Sequence, residues 1–277
     1  MYPRILTVQD ISCVGQCSLT VALPIISACG AETCVLPSAV LSTHTAGFTG
    51  YTFRDLTEDM PAIAAHWQKE KITFDAFYTG YLGSAKQIGY VKNIIAATRK
   101  ENAPVIVDPA MADNGKLYPG FDNAFVEQMK DLCAVADYLL PNITEACLLT
   151  DTPYKEVYDE AYIAELSEKL AKLGHACIVL TGVSYREDKT GVIVYKNGVS
   201  QYYEHEKLKN GCHGTGDIYA SAFVGALVTG HTPAASAKIA ADFTVDCIKA
   251  TAKVKDHWYG AAFETALPRL ISAIYQK

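Results

Sequence analysis

Residues 210 to 230 read NGCHGTGDIYASAFVGALVTG: a short glycine-rich loop, an aspartate, then an apolar run. Glycine lets backbone N–H groups turn toward a ligand where a Cβ stands in the way. The helix predicted from the apolar run adds the positive end of its dipole. Gly214, Thr215 and Gly216 can therefore form an anion hole, with Asp217 at the helix start. A carboxylate and a bound phosphate repel each other, so the two need different jobs. The plainer reading is a glycine turn with Asp217 as a helix cap or first-turn acid. Cys212 and His213 flank the glycines, placed either to touch a ligand or to shape the loop. The loop is neither a G-x-x-x-x-G-K-[ST] nucleotide loop nor a G-x-G-x-x-G dinucleotide fingerprint.

Two further segments carry acids. VIVDPAMADNGKLY (105–118) ends a buried-looking run in Asp108-Pro109 and sets Asp113 beside Asn114-Gly115. Two acids near a strand end can organise Mg²⁺ through water. The same residue types also build ordinary turns. LLPNITEACLLT (139–150) puts Asn142 and Glu145 three apart, the spacing of a capping box. A carboxylate held by a cap is also a carboxylate held in place near a metal. His44 and Thr45 in STHTAGF, and Tyr81 in YTGYLGS, are polar or aromatic residues at predicted strand ends. HEKLK at 205–209 lacks the second histidine of H-E-x-x-H, which excludes a zinc-protease motif there.

These residues need elements to position them. Strands are predicted at 4–10, 33–40, 76–81, 104–109, 137–142, 176–182 and 190–196. Several are continuous apolar runs, which suit parallel strands covered on both faces. Helices are predicted over 84–100, opening with Ser84 and Gln87, and over 159–174, ending at Gly174. The alternation predicts an α/β fold with a mostly parallel central sheet flanked by helices on both faces. A hairpin across Asn197-Gly198 joins 190–196 to VSQYYEHEKL, and helices follow the glycine loop. The polar segment 41–59 has no strong period and reads as a substrate-facing loop. Ligands of such sheets bind beyond the carboxyl ends of the strands. That rule gathers Asp10, Ser12, His44, Thr45, Tyr81, Asp108, Asp113, Asn142 and Glu145 at one rim, with the glycine loop beside them.

The chain has 277 residues, half of them hydrophobic, and a formal net charge of −6. That length suits one large domain over 1–277, with no internal repeat or linker. Acids and bases are mixed, and no basic block offers a nucleic-acid surface. Nine cysteines with no Cys-x-x-Cys read as reduced thiols. No apolar run is long enough to span a membrane, and the N-terminus lacks a signal-peptide core. A cytoplasmic enzyme is expected.

VQDISCVGQ, STHTAGF, YTGYLGS, VDPAMADNGKLY, LLPNITEA and GTGDIYASAF, in this order and spacing, resemble the ribokinase superfamily. Within it they resemble the pyridoxal kinases, whose anion hole ends in Gly-Thr-Gly-Asp. The resemblance covers nearly the whole chain and implies a ribokinase-like fold. It implies ATP-dependent phosphorylation of the 5′-hydroxyl of pyridoxal, pyridoxamine or pyridoxine. Asp217 would be the base, and Gly214, Thr215 and Gly216 the anion hole. Ser12, His44, Thr45 and Tyr81 would face the B6 vitamer. Asn142, Thr181, Cys212 and His213 would lie on the nucleotide side. Asp108, Asp113 and Glu145 would surround Mg²⁺. A monovalent cation such as K⁺ and a homodimer are further implications. Some relatives have a threonine before the Pro-Asn of the metal segment, where this chain has Leu140. The competing readings are a hydroxymethylpyrimidine kinase of thiamine synthesis, a sugar kinase, and a non-catalytic B6-binding protein.

Overall fold

The computed structural model describes residues 2–174, 176–208 and 211–276; Asn210, the first residue of the glycine stretch, lies outside them. The first half runs β1 (Arg4–Ser12), α1 (Leu19–Ala28), β2 (Glu32–Leu41), β3 (Phe53–Asp55), α2 (Met60–Lys69), β4 (Ala76–Thr79), α3 (Ala85–Thr98) and β5 (Val105–Val107). A small hairpin follows, β6 (Ala112–Asp113) and β7 (Lys116–Leu117), then α4 (Asn123–Cys133), β8 (Tyr138–Leu139), α5 (Ile143–Leu149) and α6 (Glu160–Gly174). The last third is β9 (Cys177–Val183), β10 (Lys189–Lys196), β11 (Val199–Glu206), α7 (Thr215–Val228), α8 (Pro233–Thr251) and α9 (Leu267–Tyr275).

Nine strands form one sheet in the order β11-β10-β9-β8-β5-β4-β1-β2-β3. The six from β9 to β2 are parallel, and antiparallel strands close both edges. Side chains alternate between two cores, as the two-residue period of a strand demands. Leu6, Val8 and Phe77 enter a core with α2 to α6. Ile5, Ala76 and Tyr78 enter the other, with α1, α7, α8 and α9. Covering both faces explains why β5 reads Val-Ile-Val without a polar residue. The expected α/β architecture with helices on both faces is therefore observed.

Element ends differ from the sequence reading for local reasons. The run 104–109 is a strand only over 105–107, and 137–142 only over 138–139. Pro104, Pro109 and Pro141 bound them, and proline offers no N–H to a ladder. The segment 41–59 is not wholly irregular: Phe53–Asp55 pairs antiparallel with β2 at the sheet edge. All three residues of β3 are exposed, so no apolar pattern marked it. Ser84 caps α3 by accepting from Gln87 N–H, but Gln87 does not complete the box. Its buried amide instead binds Gly83 N–H, Ser38 O and Thr57 Oγ1. Asn197 and Gly198, at φ 52° and 81°, form the β10–β11 turn as expected. Among the described residues, no helix is long and apolar enough to cross a membrane. All nine cysteines are free thiols.

Candidate active site

Parallel strands finish on one side of the sheet, so their last residues share a rim. β1 delivers Asp10 and Ser12, β4 is followed by Gly80 and Tyr81, β5 by Asp108, and β8 leads to Asn142. The start of α7 is fastened to the same place. Ser18 N–H donates to Asp217 Oδ2 at 2.9 Å, tying the β1–α1 loop to the first turn of α7. Gly214, at φ 78°, is the N-cap of α7. A Cβ there would stand 1.9 Å from Gln16 O. Glycine is required twice over, by conformation and by the approach of a second backbone.

The first intrahelical bond of α7 runs from Ile218 N–H to Gly214 O at 3.0 Å. The N–H groups of Thr215, Gly216 and Asp217 precede it and have no helical partner. They point out of the helix start, where the dipole is positive. A Cβ on Gly216 would meet nothing within 4 Å, so the protein leaves open space in front of this turn. Thr215 Oγ1 bonds back to Cys212 O at 3.3 Å and steadies the loop. The geometry is a helix start with three N–H groups free of helical partners, an arrangement that can bind an anion.

Asp217 is half-buried, and burial lifts its carboxyl pKa to about 6, with Asp10 adding to the rise and the Ser18 N–H opposing it. One oxygen is anchored; among the described residues the other has no donor, which leaves it free to accept a proton. Asp108 is raised well above the usual carboxylate range by burial and by the charges of Glu145 and Asp217. Glu145 is 2% exposed and is also raised, first by burial. Its backbone bonds oppose the rise: Oε1 accepts from Met111 N–H at 3.2 Å and Oε2 from Asn142 N–H at 2.9 Å. With Asn142 Oδ1 accepting from Glu145 N–H, the capping box is complete. Asp113 is exposed in the β6–β7 turn and bonds Asn114 through both oxygens. The turn reading of Asp113 is thus realised, although its charge still reaches Glu145. Among the described residues, no three Asp, Glu, His or Cys side chains converge as a metal cage.

On the other flank, Ser12 Oγ donates to Asp10 Oδ2 at 2.9 Å, and both residues are buried. The spacing placed Asp10 at the rim but gave it no role; here it accepts from Ser12, and its charge raises the pKa of Asp217. His44 is buried and its tautomer is fixed. Ala46 N–H donates to Nδ1 at 3.2 Å, so Nε2 carries the proton and donates to Tyr259 O at 2.7 Å. The His44 ring lies 5.6 Å from that of His213, whose pKa is lowered by burial and then by His44. Tyr81 is half-buried, packs on Phe121 at 5.6 Å, and its hydroxyl pKa is raised by burial and then by Asp10. Thr45 is exposed in the β2–β3 loop and makes no side-chain hydrogen bond among the described residues.

Thr181 sits on β9 beside Asn142, paired through an isolated bridge, with its N–H on Pro141 O at 3.0 Å. The Asn142 amide also donates to Ala112 O, so much of its bonding capacity serves the protein itself. Cys212 is half-buried against the core of α7 and α8, and burial raises its thiol pKa. Sequence reasoning missed the segment 257–260. His257 reaches Gln16 Oε1 at 2.9 Å, and Trp258 packs on Phe48 at 4.7 Å between ring centroids. It lies more than 200 residues from its partners, and no local motif announces such a contact. A cavity of about 380 Å³ lined by Asp137, Tyr138, Cys177 and Lys196 lies at the opposite end of the strands, away from these groups.

A mostly parallel sheet with an anion-binding helix start and a carboxylate at its rim defines a ribokinase-like small-molecule kinase. Residues 23–261 match the family described as Phosphomethylpyrimidine kinase, and the chain belongs to that family. It is 31% identical to the crystal structure of pyridoxal kinase from Lactobacillus plantarum, with a TM-score of 0.92 and 98% of each chain covered. A candidate phosphomethylpyrimidine kinase from Bacteroides thetaiotaomicron, crystallised with pyridoxal, is 37% identical. Its TM-score is 0.91, over 98% of this chain and 96% of that one. Pyridoxal kinase of Dictyostelium discoideum is 26% identical over 242 residues, 81% of this chain and 78% of that protein. A thiamine biosynthesis multifunctional protein of Corynebacterium efficiens is 26% identical over 235 residues, and the match spans 83% of this chain but 30% of that protein.

Proposed function

We propose that this chain transfers the γ-phosphoryl group of ATP to the 5′-hydroxyl of pyridoxal, pyridoxamine or pyridoxine. The observation that carries the reading is the start of α7. Three free N–H groups face open space beside a carboxylate with one oxygen anchored and the other free. The N–H groups would hold the transferring phosphoryl group while Asp217 accepts the proton of the attacking hydroxyl. Ser12, His44, Thr45 and Tyr81 are assigned to the vitamer side, and Asn142, Thr181, Cys212 and His213 to the nucleotide side.

The mutual repulsion of Asp108, Glu145 and Asp217 favours a nearby cation. Mg²⁺ would neutralise phosphate charge there, held through phosphate and water rather than by a cage of side chains. Glu145→Gln keeps one of the two acceptors and turns its NH2 toward the other N–H donor, so the variant is expected to fold with a lower melting temperature. It should raise the Mg²⁺ concentration for half-maximal rate about tenfold. A Mg²⁺ titration of initial rates checks this; an unchanged midpoint takes Glu145 out of the metal region. K⁺ dependence is assigned as an assay variable, since Leu140 departs from the pattern of some relatives. A homodimer and a cytoplasmic setting complete the proposal, and sedimentation of the purified chain tests the first.

The rate should climb as pH rises through about 6, because Asp217 must lose its proton to act. A pH profile of kcat/KM with no acidic limb in that region removes the base assignment. The second reading is phosphorylation of hydroxymethylpyrimidine, a pyrimidine related to the one the family's description names. The deciding assay offers pyridoxal, pyridoxamine, pyridoxine and hydroxymethylpyrimidine side by side with ATP and Mg²⁺. Saturable turnover confined to hydroxymethylpyrimidine overturns the B6 reading. Tight vitamer binding without turnover on any of them makes it a binding protein.

A further inference from the structure

Three segments far apart in the sequence meet beside the start of α7: residues 13–16 after β1, 41–48 after β2, and 257–260 between α8 and α9. The first two are stitched backbone to backbone where their strands end. Cys13 N–H donates to Leu41 O at 2.9 Å, Val14 N–H to Ser42 O at 3.2 Å, and His44 N–H to Val14 O at 3.2 Å. The third segment holds both. On the side of 41–48, Tyr259 O accepts from His44 Nε2, and Trp258 packs on Phe48. Gly47 turns directly against the indole: its φ is 85°, and a Cβ there would stand 2.8 Å from the Trp258 ring. On the side of 13–16, Gln16 Nε2 donates to Glu264 Oε1 at 2.7 Å. That leaves Gln16 Oε1 to accept from His257 Nε2 at 2.9 Å. Gly260 is buried, and a Cβ there would stand 2.9 Å from Gln16 N.

Gln16 is therefore gripped from two sides, because its carbonyl is the atom for which Gly214 makes room at the start of α7. His44 is gripped in the same way. Ala46 N–H occupies one ring nitrogen and Tyr259 O takes the proton of the other, so neither is left for a substrate. What His44 fixes instead is the chain around Thr45, which stands exposed between two anchored residues. We propose that residues 257–260 are a clasp that positions the vitamer-side loop 41–48 against the start of α7, with Gln16 and Trp258 as its positioning residues. The clasp works through His44, Phe48 and Gln16. It sets the distance between the loop that would hold the vitamer and the turn that would hold the phosphoryl group. A misplacement of about 1 Å between reacting groups can cost about a hundredfold in rate.

The kinetic consequence rests on the B6 reading; the clasp itself does not. Trp258 is 52% exposed, so Trp258→Ala should melt close to the wild type. Amide hydrogen exchange of this variant, with no ligand added, should speed up about tenfold over 41–48 while β4 and β5 keep their protection. Unchanged exchange over 41–48 would overturn the clasp. In the vitamer assay, kcat/KM for pyridoxal should fall about tenfold with KM for ATP within about a factor of two. Trp258→Phe keeps an aromatic face on Phe48 and should recover most of the loss; a phenylalanine no better than alanine removes Trp258 from the positioning role. Gln16→Ala should lower the same ratio, and the double variant should be little worse than the weaker single one, since both act through one segment. Additive losses would mean that the two residues act separately and would overturn the single clasp. A merely structural role would lower the melting temperature and leave the KM for pyridoxal and for ATP in place, which also counts against it. Should the wild type turn over no vitamer, the proposed function fails, and hydrogen exchange still decides the clasp.

Discussion

Asp217→Asn is expected to lower kcat on the B6 vitamer by about a thousandfold while KM for ATP stays within about a factor of two. Asparagine has the shape of aspartate and can still accept from Ser18 N–H, so the helix start should keep its place. What disappears is the free oxygen that takes the proton. The substitution should also stabilise the fold at neutral pH. The folded pKa of Asp217, about 6, lies above the ordinary 3.8. Folding therefore favours the protonated form, and that contribution is present below 3.8 and lost as pH rises through about 6. At neutral pH the wild type holds a poorly solvated charge that asparagine lacks. At about 1.4 kcal/mol per pH unit, discounted for the solvent that reaches a half-buried carboxylate, the gain is about 1–2 kcal/mol. Thermal melts of both proteins should differ at neutral pH and converge in acid. Near-normal turnover would remove Asp217 from the base role, and a melting difference that persists in acid would assign the stability change to packing.

That pairing of lost activity with gained stability is what a functional carboxylate in a poor solvent predicts. It also marks what was legible in the sequence. The glycine loop and Asp217 are contiguous, and their chemistry is local, so spacing alone suggested an anion hole beside an acid. Asn142 and Glu145 were legible for the same reason, since a capping box is a four-residue pattern. The parallel, doubly covered sheet was legible because β5 and much of β9 are continuous apolar runs, whereas the strand order was not. Asp10 was visible as a strand-end acid but its role was not, because that role depends on Asp217, which lies more than 200 residues away. The same distance hid Trp258 and Tyr259, which close on Phe48 and His44. Tyr78 was hidden differently. Inside the run AFYT it reads as one more aromatic strand residue, and only the fold shows its hydroxyl buried with no hydrogen-bond partner among the described residues.

Gly214→Ala should destabilise the protein by about 3 kcal/mol or more, whereas Gly216→Ala should not. The two glycines are two apart in one loop, yet they do different work. At Gly214 the backbone is left-handed, and a Cβ would meet Gln16 O at 1.9 Å. A backbone carbonyl cannot swing aside as a side chain does, so the β1–α1 loop must move and take Ser18 with it. Ser18 N–H is the anchor of Asp217, so the loss of fold and the loss of the base have one cause. At Gly216 no atom lies within 4 Å of a built Cβ, and the residue is already helical. Alanine in a helix is favoured over glycine by roughly 0.5–1 kcal/mol, so this variant should melt at or above the wild-type temperature. Its methyl group would nevertheless project into the space assigned to the transferring phosphoryl group. Turnover should therefore fall about a hundredfold in a fully folded protein. Melting curves and initial rates of the two variants separate the outcomes. If Gly216→Ala is folded and fully active, the space before α7 does not hold the phosphoryl group, and the anion must sit elsewhere on the rim. If Gly214→Ala melts like the wild type, the contact with Gln16 is not what fixes the helix start.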